Sequence, residues 1–220
     1  MASAAVSSHP YHPHTPISTG LRFGIGIVLA AWLLLVVLAG SAGAFVSPIG
    51  VPPVRMAVAV GAPPLAFFAG ILISRRVREA VLTADLRWIT AIQAWRFAGF
   101  GFLALYAYGV LPGSFAWPAG LGDMAIAITA PWVLLALLRR PAFATSWTFV
   151  LWNALGILDL IAAITTGTTS SALATGVAGE ISARPMAELP LVLIPAYFVP
   201  IFFMLHAAAL LQVRHSARAK

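Results

Sequence analysis

The chain has 220 residues, of which 61% are hydrophobic and only 9% charged. A water-soluble domain keeps about a quarter of its residues charged, so that class is excluded and lipid must serve as the solvent. The net charge of +7 comes from arginines grouped at the ends of apolar runs, a placement that suits anionic headgroups rather than nucleic acid. The absence of cysteine also excludes disulfides, thiolate metal sites and cysteine nucleophiles.

In chain order, residues 1–20 read as a disordered cytoplasmic tail carrying His9, His12 and His14 between prolines. Imidazoles at that spacing could hold zinc, copper or nickel weakly, or be incidental. Residues 21–212 read as an all-α transmembrane bundle and residues 213–220 as a basic cytoplasmic tail. Six apolar runs reach spanning length, about 20 residues each: 23–44, 54–73, 88–110, 119–138, 146–166 and 189–212. The first ends on Ala42, Gly43 and Ala44, which resembles a signal-peptidase site whose cleavage would leave five spans. Its length and nearly uncharged lead favour retention. Prolines fall inside span two (Pro63, Pro64), span four (Pro131) and span six (Pro190, Pro195, Pro200). Each frees a backbone carbonyl, so kinks are expected there.

The basic residues orient these spans. Arg22, then Arg75, Arg76, Arg78 and Arg87, then Arg139 and Arg140, then Arg214, Arg218 and Lys220 all fall on one set of alternating loops. The opposite set holds Arg55 and Arg184. This asymmetry predicts both termini in the cytoplasm of a plasma (inner) membrane. Trp88, Trp117 and Trp147 fall at predicted interfaces, where indoles concentrate. The segment 74–87 is expected to lie as an amphipathic turn on anionic lipid.

Ionisable and amide side chains within hydrocarbon are expensive and mark functional candidates. They are Gln93 and Arg96 in span three, Asp123 in span four, Asn153 and Asp159 in span five, and Glu188 and His206 in span six. Gly120 and Asp123 with Ala127, Ile128 and Thr129 match Gly156 and Asp159 with Ala163, Ile164 and Thr165, 36 residues on. The two spans run in opposite directions, so a shared origin would make an inverted repeat of the kind that surrounds transporter sites. The two aspartates have similar expected depths. Together they could bind a cation or carry a proton, or each could simply accept hydrogen bonds from a neighbour. Arg96 could snorkel to the inner headgroups, pair with Asp159 despite an expected height difference of about 10 Å, or hold an anionic group. A lone intramembrane histidine, His206, cannot make intrachain bis-histidine haem.

No zinc-protease, P-loop, nucleophile-elbow or retinal-lysine motif is present, so no reaction is indicated and no cofactor is called for. Gly20 and Gly24 form one GxxxG at the edge of span one. The stretches PAGLGD, WNALGILD, LPLVLIPAYFVP and LHAAALLQ, between Ala119 and Gln212, resemble features of uncharacterised bacterial polytopic inner-membrane proteins. That resemblance implies a bacterial plasma membrane and no chemistry. Three function classes stay open. The first is a small transporter or permeation-type protein for a solute or ion, with Asp123 and Asp159 as its core and Arg96 and Glu188 beside them. The second is a non-catalytic subunit or assembly factor with a membrane-protein partner or a second copy. The third is a haem- or quinone-binding protein or enzyme.

Overall fold

The computed structural model describes residues 19–218; His9, His12 and His14 lie outside them. The described chain is helical. In order it forms α1 (Thr19–Ser41), α2 (Val54–Ile73), α3 (Arg75–Thr83), α4 (Leu86–Ile92), a 3₁₀ segment (Gln93–Gly99), α5 (Phe100–Ala107), α6 (Gly113–Arg139), α7 (Trp147–Ala172), a π turn (Ile194–Phe198) and α8 (Val199–Arg218). Short 3₁₀ turns at Pro141–Thr145 and Arg184–Ala187 precede α7 and the π turn.

Five of these segments are long and apolar enough to cross a membrane: α1, α2, α6, α7 and the π turn continuing into α8. The run expected as a regular third span is instead α4, the 3₁₀ segment and α5 end to end, three pieces of seven, seven and eight residues. The interruption begins at Gln93 and carries Arg96, both fully buried. Its helical path continues without reversal, since Gln93, Gly99 and Phe100 all keep right-handed helical dihedrals.

Two expected boundaries move outward. Helix α7 runs to Ala172 rather than stopping at 166. Its Thr165, Thr166 and Thr168 hydroxyls donate to the carbonyls of Ile161, Ala162 and Ile164, so a polar stretch satisfies itself inside the helix. Helix α6 starts at Gly113 and passes through Pro118, six residues before the expected start at 119. Pro63, Pro64 and Pro131 also lie within continuous helices. In the last span Pro195 coincides with a π turn, a single-turn widening of the kind found at functional sites.

The core is the bundle of α4, α6, α7 and α8. Ile89, Ile126, Val133, Phe149, Trp152 and Ala209 pack together there, and at one end Phe143, Leu86, Ala84 and Val213 close over them. That end also holds the arginine-rich segments. Gln212 of α8 donates to the carbonyls of Val81 and Ala84 and ties α3 and α4 to the C-terminal helix. At the other end Arg184 donates to the Ser47 carbonyl, joining the loop after α1 to the loop after α7. Two pairs of segments distant in sequence are therefore joined, one at each end. Helix α3, capped by Ser74, buries none of its residues. Trp88, Trp117 and Trp147 are exposed near helix ends.

Candidate functional site

Inside the bundle, four elements contribute to one polar cluster centred on Arg96. Its side chain comes from the 3₁₀ segment and has no exposed surface. The Nε donates to Asp123 Oδ1 of α6 at 2.7 Å. Nη2 donates to Asp159 Oδ2 of α7. Nη1 donates to the Gly156 carbonyl at 3.4 Å and approaches His206 Nε2 of α8 at 3.1 Å. Phe202 places its ring 6.0 Å from the guanidinium carbon.

Hydrogen-bond logic fixes the histidine. A guanidinium can only donate, so His206 Nε2 must accept and the ring proton sits on Nδ1. Nδ1 lies 2.9 Å from Asn153 Oδ1, and the Asn153 amide nitrogen donates to the Phe149 carbonyl at 2.9 Å. With Nδ1 donating and Nε2 accepting, the imidazole is neutral. Trp152 packs edge-on to it, with ring centroids 5.4 Å apart. One guanidinium, two carboxylates and a neutral imidazole give the cluster a formal charge of −1 when both carboxylates are ionised.

Glycines make the approach possible. A Cβ on Gly99 would strike the Asp123 side chain, one on Gly122 the Asp159 carboxylate, and one on Gly156 the His206 ring. Each partner of Arg96 thus lies against a glycine of a neighbouring helix, and a methyl group at any of the three positions would push a ligand of the guanidinium away. Gly120 plays a related part, since its Cβ would sit 3.1 Å from the Gly99 carbonyl. The close contact between α6 and the 3₁₀ segment is built on this pair of small residues.

The site therefore gathers Arg96, Asp123, Asp159, Asn153 and His206. The carboxylate side chains keep 16% and 12% of their surface, so they point inward. Arg96 does not snorkel. Asp159 lies near the middle of α7, and the Arg96 side chain reaches it despite the expected height difference. Gln93 is buried one turn from Arg96, but its amide oxygen and nitrogen have no partner, nor does the Thr90 hydroxyl beside it. Glu188 falls outside the cluster: it is exposed at the end of the 3₁₀ turn Arg184–Ala187, because the last long helical run begins at Ile194 rather than at 189. Sequence reasoning passed over Gly99, Gly122 and Thr90; a glycine directly before an intramembrane aspartate, as at Gly122, is the signal that could have found one of them.

One opening is lined by the cluster, and a second lies about a helical turn from it. A cleft of about 340 Å³ lies between the 3₁₀ segment and the start of α8, with Arg96 and Asp123 on its floor. A smaller cavity of about 80 Å³ lies at the opposite end from the arginine-rich loops, lined by Ala163, Ile164 and Gly167 of α7 and by Arg184. It begins one helical turn beyond Asp159. Among the described residues no group of three or more His, Asp or Glu side chains is arranged to hold a metal ion, since the guanidinium occupies the centre.

No curated protein and no solved structure matches this chain. A family model described as a domain of unknown function, DUF8737, matches residues 53–214. That range runs from the start of α2 into the last turns of α8 and includes every member of the cluster, while α1 lies outside it; the chain belongs to this family.

Proposed function

We propose that the protein is a small transporter or permeation-type protein of the plasma (inner) membrane that moves a small cation or a proton through the Arg96 cluster. The broken segment α4 to α5 would serve as a sixth crossing, with both termini on the cytoplasmic side. The arginine-rich end supports that orientation. One observation carries the reading: two carboxylates from α6 and α7 converge on a single buried arginine, so that with both ionised one negative charge is unbalanced in a low-dielectric interior. A monovalent cation or a proton restores neutrality there, and exchange of one for the other needs no further charge. The cleft at Asp123 and the cavity beyond Asp159 support access from two directions.

The test is flux in proteoliposomes holding the purified full chain. With a pH-sensitive dye inside and an imposed ion gradient, the wild type should dissipate the gradient faster than protein-free vesicles. Asp159→Asn should abolish that increment. Equal rates in the wild type and Asp159→Asn would remove the aspartate cluster from any transport role.

A further inference from the structure

The cleft beside the cluster is aromatic to a degree the rest of the chain is not. Trp95, Phe102, Tyr197, Phe198 and Phe202 account for five of its twelve lining residues, against 11% aromatic residues overall. The cleft is thus a ring-lined slot and not a generic gap between apolar helices. One wall comes from the segment around Arg96. The other comes from the π turn and the start of α8, where the extra residue of the wider turn brings Tyr197 and Phe198 beside Phe202. Tyr197 is itself fixed from behind: its hydroxyl donates to the Leu29 carbonyl and its ring lies 4.8 Å from Trp32. Trp95 stands at the mouth with 76% of its surface exposed, on the face that meets lipid.

The polar floor decides what charge such a slot prefers. Four of the five Arg96 N–H groups are already directed at Asp123, Asp159, His206 and Gly156, so no guanidinium fork remains for an anion. Asp123 Oδ1 takes the Arg96 hydrogen bond, whereas Oδ2 takes none. The cleft therefore offers a carboxylate oxygen that takes no hydrogen bond, aromatic faces that attract cations, and a cluster that carries one negative charge in excess when both carboxylates are ionised. Its volume is in the lower range for sites that hold a small organic ligand.

We infer that this cleft is a membrane-accessible binding site for a lipophilic organic monocation carrying one or more rings, its charge held by Asp123 and its rings by Trp95, Phe198 and Phe202. This deepens the transport reading by naming a substrate class for the same cluster. Entry is lateral, past Trp95, because the molecule partitions into the bilayer before it reaches the protein.

Tetraphenylphosphonium and tetraphenylborate share shape and size and differ in charge sign, so they are the probes. Binding is measured to the full chain in bilayer discs, as counts above protein-free discs. The cation should bind saturably and the borate should not. Ile201→Trp narrows the cleft without replacing a member of the ion cluster and should weaken cation binding by at least about tenfold, roughly 1.4 kcal/mol. Asp123→Asn should do the same, and Trp95→Leu should weaken binding severalfold. Borate bound as tightly as the cation, or cation binding unchanged in folded Ile201→Trp, overturns the assignment. A neutral ring compound that competes equally with the cation would also overturn it, in favour of a site that reads rings alone. Flux that requires Asp159 in a protein that binds no tetraphenylphosphonium would sink this inference and leave transport standing; saturable binding without flux would do the reverse.

Discussion

Helix α1 and the inner bundle solve opposite problems. Over α1 only Val36 and Gly40 are buried; its isoleucines and most of its leucines face outward, and Gly20, Gly24 and Gly26 have nothing within reach of an added Cβ. The bundle of α4, α6, α7 and α8, with the 3₁₀ segment, buries an ionic network, and its glycines are occupied to the limit of contact by the side chains opposite. Both regions are apolar by composition. Lipid is as apolar as leucine, so apolar surface alone gives helices no reason to choose one neighbour over another; the charged cluster and its glycines supply that choice. The family match covers the bundle and omits α1.

The strongest way to break this contrast is Arg96→Met. It leaves two carboxylates facing each other without a counter-charge, and breaking a buried pair in this way costs about 3–5 kcal/mol. A loss of that size lowers the unfolding midpoint of a protein this long by roughly 6–20 °C, which thermal unfolding in mild detergent will show. Adding Asp123→Asn and Asp159→Asn to the same chain removes all the formal charge and should recover a large part of the loss, while flux stays absent. A triple variant no more stable than Arg96→Met would mean that the network holds the fold through hydrogen-bond geometry rather than through charge balance.

Second in size is a matched pair of Gly→Ala substitutions. At Gly122 the new methyl meets the Asp159 carboxylate, and overpacking of this kind costs about 1–3 kcal/mol. At Gly24 or Gly26 of α1 the methyl meets nothing within 4 Å, and replacing a mid-helix glycine there should be neutral or stabilise by up to about 1 kcal/mol. The same chemical change therefore carries opposite signs in the two regions, read by the same thermal assay. If Gly24→Ala proves the costlier one, α1 meets a partner through Gly20 and Gly24, and a second copy of the chain becomes the first candidate, testable by cross-linking.

How far the sequence shows all this differs between the two regions. Run lengths are legible from hydropathy alone, so α1 and α2 lie where the apolar residues predict. The ionisable residues of the bundle are legible too, because Arg96, Asp123, Asp159 and His206 stand out in hydrocarbon. Their meeting is not. It depends on where α6 and α7 begin and end, and those ends are masked: Pro118 is tolerated inside α6, and the threonines of α7 satisfy their own hydroxyls. The 3₁₀ segment is hidden for a similar reason, since seven residues of tighter helix leave no mark on hydropathy. Gly-x-x-Asp is visible as a repeat in α6 and α7, yet the glycines that seat the aspartates are Gly99 and Gly122, each from a neighbouring helix. Glu188 shows the reverse error. It precedes an apolar run and so reads as intramembrane, whereas the chain between 188 and 194 belongs to the loop end.

The smallest effect tests the loops rather than the helices, at the end of the molecule far from the arginine-rich segments. Glu180 is fully exposed, and its carboxylate accepts from the backbone N–H groups of Thr175 and Gly176 and from the Thr175 hydroxyl. Those backbone bonds hold its pKa below the ordinary 4.5. With a folded value lower than the unfolded one, the carboxylate's contribution to the loop is complete above the ordinary carboxylate range. It is lost only as pH falls through the folded value. The Gly176 amide proton resonance should therefore be flat from pH 7 to 5 and titrate with a midpoint below 4.5, and Glu180→Gln should remove that titration. Neither change should move the global unfolding midpoint, because the contacts are solvent-exposed and local. A Gly176 titration that carried the unfolding of the bundle with it would mean the loop is part of the core, and the division between a charge-specified interior and its apolar surround would no longer hold at that end.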